Sequence, residues 1–76
     1  MKKKDIQKLF PGIVVGTMNE VITNPFSGNS IELNPTEVAV YDYLKGCEML
    51  GDYKMLRKAI DWFIDNNIKA YSVLID

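Results

Sequence analysis

The second half of the chain opens with an unusually complete pair of helix start and stop signals. Asn34 can accept a hydrogen bond as an N-cap, Pro35 suits the first helical position, and Glu37 can complete a capping box. Gly51 is a natural C-terminal cap, because glycine adopts the left-handed conformation at little cost. These signals predict a first long helix from Pro35 to about Leu50.

Two further helices follow with almost no connecting chain. Asp52 can cap a helix over residues 53–65, which the pair Asn66-Asn67 ends, and Asn67 can cap a short helix over residues 68–75. Connections this short force successive helices to double back on one another. Residues 34–76 are therefore predicted to form a small three-helix bundle.

The N-terminal third favours extended structure after a short helical start. Residues 2–10 can form one or two helical turns, which Pro11-Gly12 ends. Residues 13–33 contain short β-branched or alternating runs around the turn-rich segment NPFSGNS, with a broad loop at residues 25–29. We predict a β-hairpin or a loose extended arm, lying on the helices because two strands alone are marginal. The predicted fold is one mainly α domain over residues 1–76, in which residues 1–33 form the N-terminal arm or short hairpin.

The second helix has a wide apolar arc of about 200°, where a helix lying on one neighbour needs about 100°. It is therefore predicted to lie in the middle, between the first helix and either the last helix or the N-terminal arm. The arc comprises Met55, Leu56, Ala59, Ile60, Trp62, Phe63 and Ile64.

The first helix carries apolar residues on both sides. Its predicted core side comprises Ala39, Val40, Tyr43, Leu44, Cys47 and Leu50. Val38, Tyr41 and Met49 fall on the opposite side, among charged residues. Such a surplus in a small domain favours a contact surface for a second copy or another protein. Simple scatter of apolar residues, or coverage by the N-terminal arm, are the alternatives.

Phe26, at the predicted loop tip, is a second candidate for protein interaction. General burial tendencies of phenylalanine favour the alternative that it folds back onto the domain.

The residue inventory argues against catalysis and metal binding. The 76 residues include no histidine and one cysteine, so neither an internal disulfide nor the usual zinc ligand set is possible. Cys47 lies on the apolar side of its helix, where a thiol is inert. Asp61 and Asp65 are four residues apart, but two carboxylates make a poor cation site. We expect a non-catalytic protein with no cofactor, no metal and no small-molecule substrate.

The net charge and the hydropathy of the chain limit the kinds of partner that it is expected to bind. The net charge of −1 predicts no strong attraction to nucleic acid, and no apolar run approaches the roughly 20 residues of a membrane span. A free cysteine without a recognisable export signal fits a cytoplasmic protein. A nucleic-acid-associated regulator using Lys2–Lys4 with Lys8 is the alternative function, although no aromatic residues are interleaved with these lysines.

Three segments, LNPTEVAVYDYLKGCEMLGDY, RKAIDWF and KAYSVLID, together with the NPF loop, resemble a group of small uncharacterised proteins of tailed bacteriophages. The resemblance covers roughly residues 22–76. It implies a phage origin and a setting in the host cytoplasm, and it carries over no active-site residue.

Overall fold

The computed structural model describes residues 3–75, with side chains from residue 6 onward. The fold is mainly helical with one small antiparallel hairpin, as predicted. The order of elements along the chain is α1 (Lys3–Leu9), β1 (Glu20–Thr23), β2 (Ser30–Leu33), α2 (Pro35–Leu50), α3 (Tyr53–Asn66) and α4 (Ile68–Leu74). Lys2, the first residue of the predicted N-terminal helix, lies outside the described residues.

The predicted caps of α2 form as expected. The Asn34 side chain accepts a hydrogen bond from the Glu37 backbone N–H at 2.9 Å, and the Glu37 carboxylate accepts one from the Asn34 N–H at 2.9 Å. At the other end, Gly51 has a φ of 73° and reverses the chain. Both ends of α2 are therefore fixed by local chemistry, which explains why its boundaries match the prediction.

The caps of the next two helices also form, and one of them joins distant parts of the fold. The Asp52 side chain accepts from the Met55 N–H at 3.2 Å. Asn67 accepts from the Ala70 N–H at 3.1 Å through its side-chain oxygen, and it donates to the Glu37 carboxylate at 2.9 Å. Asn67 thus ties the start of α4 to the start of α2.

Strands β1 and β2 form a β-hairpin and not a loose arm. The register pairs Ile22 with Ile31, and it places these side chains with Leu33 on one face. Leu33 is fully buried and the two isoleucines pack against the core. On the other face, the hydroxyl oxygens of Thr23 and Ser30 lie 2.7 Å apart in a hydrogen bond. The hairpin therefore rests on the helices with one face in solvent.

Helix α3 lies in the middle of the helical region, as its wide apolar arc predicts. It contacts α2 and α4. Ala59, Trp62 and Phe63 are buried in the core cluster. From the N-terminal side, the ring of Phe10 packs against that of Tyr43, with centroids 5.2 Å apart. In the described chain no helix is both long enough and apolar enough to span a membrane.

The side of α2 predicted to face outward is partly covered. Val38 is only 8% exposed, so the prediction that it lies on an open surface is wrong. Strand β2 contacts both α2 and α4, and Val38 shares the buried cluster with Leu33 of β2 and Leu74 of α4. Val38 is therefore part of the core and not open to a partner.

Leu50 differs from the prediction in the opposite direction, because it is exposed where burial is predicted. Its position on the helical wheel predicts that it faces the core, but its side chain is 86% exposed. Leu50 is the last residue of α2, and the chain reverses at Gly51 immediately after it. The helix therefore ends beyond the edge of the core.

Candidate interaction surface

The loop between β1 and β2 is fixed by one asparagine. The backbone of Asn24 donates to the Asn29 carbonyl and accepts from the Gly28 N–H, both at 2.8 Å. Its side-chain oxygen accepts from the Phe26 N–H at 2.9 Å, and its side-chain nitrogen donates to the Val73 carbonyl at 3.0 Å. Four hydrogen bonds therefore order the loop and fasten it to α4.

Phe26 projects from this ordered loop into solvent. Its side chain is 97% exposed, so the expectation that it folds back onto the domain is wrong. Burying a phenylalanine side chain is worth about 1.5–3 kcal/mol, and none of that is gained within the described chain. An exposed aromatic ring on a fixed loop is thus available to a partner.

Beside Phe26 lies an open groove of about 300 Å³, hereafter the tip groove. Three parts of the chain form its walls: the hairpin loop, the outer side of α2, and the end of α4. The lining residues are Asn24, Pro25, Phe26, Tyr41, Lys45, Glu48, Leu74 and Ile75.

The α2 wall of the tip groove combines one aromatic ring with one charge of each sign. The Lys45 ammonium lies 5.5 Å from the centroid of the Tyr41 ring and 3.4 Å from the Glu48 carboxylate. Lys45 and Glu48 are about half exposed, so their ion pair contributes little to stability. Both charges remain available to pair with groups on a partner.

The structure brings together two of the four predicted interaction residues. Phe26 and Tyr41 line the tip groove together. Met49 is 87% exposed, but it lies eight residues from Tyr41, about 12 Å along the helix, and does not line the groove. Val38 is buried. The sequence reasoning missed Leu74 and Ile75, because only the folded chain brings the end of α4 to the hairpin loop.

Met49 belongs instead to an exposed apolar group at the turn between α2 and α3. Leu50 and Tyr53 are also exposed there. A shallow depression of about 260 Å³ lies beside Leu50, and its lining includes Tyr43 and Cys47.

Cys47 is a buried free thiol at this depression. Burial raises its pKa above the ordinary cysteine value, and the nearby Asp52 carboxylate raises it further. The thiol is therefore protonated at neutral pH and is a poor nucleophile.

Alkylation of Cys47 by iodoacetamide should be slow in the folded protein. Because the reactive species is the thiolate, the alkylation rate of the folded protein at pH 8 should be about tenfold or more below that of the urea-unfolded chain. Mass spectrometry of labelled protein measures the rate, and equal rates in folded and unfolded chain would contradict the expectation.

The raised pKa of Cys47 should also make the free energy of unfolding fall in alkaline solution. The unfolded chain loses the thiol proton at the ordinary pKa while the native chain retains it, so stability falls as pH rises above that pKa.

The other candidate groups remain separate. Asp61 pairs with Arg57 across one turn of α3 at 3.3 Å, on an exposed face. In the described part of the chain, no group of three or more cysteine, aspartate or glutamate side chains is placed to hold a metal. Of the basic N-terminal residues, Lys8 is exposed, and Lys3 and Lys4 belong to α1.

Comparisons with protein-family models, curated proteins and solved structures give no match to this chain.

Proposed function

We propose that this chain is a small non-catalytic protein-interaction module that binds another protein through the tip groove. The observation that carries the proposal is Phe26, an aromatic ring 97% exposed on a loop held by four hydrogen bonds of Asn24. A fixed loop has little conformational entropy left to lose on binding. Aromatic side chains near the centre of an interface often carry much of its binding energy.

The lining of the tip groove describes the kind of partner it fits. Phe26 and Tyr41 offer aromatic surface to an apolar side chain, and the partly exposed Ile75 adds aliphatic surface. Lys45 and Glu48 offer one charge of each sign at the α2 wall. The partner is therefore a protein segment with a large apolar anchor flanked by polar or charged groups. On the sequence resemblance alone, we extend the proposal to a phage-encoded protein acting in the host cytoplasm.

A photo-crosslinking amino acid tests the surface directly. Replacing Phe26 with benzoylphenylalanine retains an aromatic side chain at the loop tip and should capture the partner in host lysate. The same group at Val14, which is also exposed but lies outside the groove, is the matched control. The captured protein is then titrated with purified variants. Phe26→Ser should weaken binding about tenfold or more, a loss of about 1.4 kcal/mol, and Val14→Ser should leave it unchanged.

Two results would contradict the proposal: equal binding by wild-type and Phe26→Ser chains, or equal losses at Phe26 and Val14. The nucleic-acid alternative predicts something different. It requires binding to DNA at low salt that weakens steeply as salt rises and is reduced by Lys8→Glu.

A further inference from the structure

Strand β1 has a second edge that faces away from its partner. In the described chain the sheet has two strands, and β1 is hydrogen-bonded to β2. Among the described residues, no backbone hydrogen bond joins β1 to a segment other than β2 and the hairpin loop. The outer edge of β1 is therefore a row of backbone groups available to another strand.

The hairpin register identifies which groups lie on that edge. The Asn24 N–H donates across the hairpin to Asn29, so its backbone groups point toward β2. Backbone direction alternates along an antiparallel strand, so the groups of Ile22 also point toward β2. Those of Val21 and Thr23 then point outward. One N–H and one C=O from each of these two residues form the open edge.

Strand β1 lacks three of the devices by which proteins protect such an edge, namely a lysine, a proline and a β-bulge. Glu20–Thr23 contains no lysine and no proline, and it pairs with β2 in continuous register over four residues. Val21 is 65% exposed, which gives the edge an apolar side chain as well. The net charge of −1 on each copy opposes self-association only weakly.

We propose that two copies of the chain pair through β1, antiparallel about a two-fold axis at Ile22, to form a four-stranded sheet. This register sets Val21 of each copy opposite Thr23 of the other, so their outward groups form four backbone hydrogen bonds. The half-buried Ile22 side chains meet at the axis on the core side of the sheet. Glu20 falls opposite Asn24 of the second copy, which keeps the two carboxylates apart.

The neighbouring symmetric register fits less well. Centring the axis on Val21 would set the Glu20 carboxylate opposite Ile22 of the second copy, on the face that packs against the core. The side-chain pattern therefore selects the register centred on Ile22.

Hydrogen exchange measured at several protein concentrations tests this pairing. The amides of Val21 and Thr23 should exchange quickly in dilute protein and become protected as concentration rises toward about 1 mM, where weak dimers are populated. The Ile22 amide, bonded within the hairpin, is the internal control and should stay protected throughout. Sedimentation equilibrium should show the mass doubling over the same range.

Two variants separate the edge from the rest of the fold. Thr23→Pro removes an outward N–H and leaves the backbone hydrogen bonds of the hairpin in place, but it also removes the Thr23–Ser30 hydroxyl hydrogen bond. Val21→Lys adds a charge to the edge and keeps that hydroxyl hydrogen bond. Each should weaken dimerisation about tenfold or more, whereas Val14→Lys, with the same charge outside the strand, should not. Circular dichroism checks that each variant is folded.

A monomer at every concentration would overturn the pairing, as would a dimer that both edge variants leave intact. The pairing uses backbone groups of β1, whereas the proposed function rests on the Phe26 side chain. Phe26→Ser should leave the concentration-dependent protection of Val21 and Thr23 in place, so either proposal can fail without the other.

Discussion

Replacing Val38 with aspartate should lower the free energy of unfolding by about 4 kcal/mol, whereas the same change at Met49 should cost less than about 0.5 kcal/mol. Both residues lie on the side of α2 opposite the predicted core face. Val38 is 8% exposed and packs in the core cluster, so the variant loses apolar burial and forces a carboxylate out of water. Met49 is 87% exposed and already in solvent.

Urea unfolding followed by fluorescence measures both costs, because Trp62 is the only tryptophan and is buried beside Phe63. The total stability of a domain of this size is about 4–11 kcal/mol, so the Val38 variant would retain only part of it. Similar midpoints for Val38→Asp and Met49→Asp would show that Val38 is not buried in the core.

The contrast between these two residues shows how far a helical pattern predicts burial. The helix boundaries follow from local chemistry, so the capping signals at Asn34, Gly51, Asp52 and Asn67 predict the bounds of α2, α3 and α4 closely. The wheel, however, treats a helix as uniform along its length. Val38, near the start of α2, is buried in the core cluster, whereas Leu50, at the end of α2, is exposed.

The tip groove was predictable only in its separate parts. Phe26 and Tyr41 stood out as candidate contact residues, Phe26 by its turn-rich loop and Tyr41 by its helical position. Their proximity depends on where the hairpin rests, and the Asn24–Val73 hydrogen bond that fastens the loop spans 49 residues of sequence. No local pattern carries that information, because asparagine is common in turns for reasons that concern its own backbone.

That hydrogen bond is the basis of the second prediction. Asn24→Ala should lower the free energy of unfolding by about 1–2 kcal/mol, since the Phe26 N–H and the Val73 carbonyl both lose a partner. Asn24→Asp should lower it by about 2–3 kcal/mol at pH 7. An aspartate still accepts from the Phe26 N–H, but it sets a charged oxygen where the amide nitrogen lay 3.0 Å from the Val73 oxygen.

The stabilities of Asn24→Ala and Asn24→Asp, each relative to wild type, should respond differently as the pH falls. Repulsion from the Val73 carbonyl raises the pKa of the introduced carboxyl in the folded state above its unfolded value of about 3.9. The folded state then binds more protons than the unfolded state, so the penalty develops as pH rises through 3.9 and is relieved below it. Unfolding midpoints from pH 3 to 7, each taken relative to wild type, should therefore improve for Asn24→Asp in acid and stay level for Asn24→Ala.

The same pair of variants links loop order to binding. Both retain Phe26 but release the loop from α4, so the partner captured at Phe26 should bind each variant more weakly than wild type. A loop that is free to move loses conformational entropy when it binds. In the wild-type chain the hydrogen bonds of Asn24 already restrict the loop, so less entropy is lost on binding. Unchanged affinity in Asn24→Ala, together with lost affinity in Phe26→Ser, would show that the ring matters and its fixed presentation does not. Weaker binding by both Asn24→Ala and Phe26→Ser would show that the affinity depends on the aromatic ring and on the hydrogen bonds of Asn24 that hold its loop.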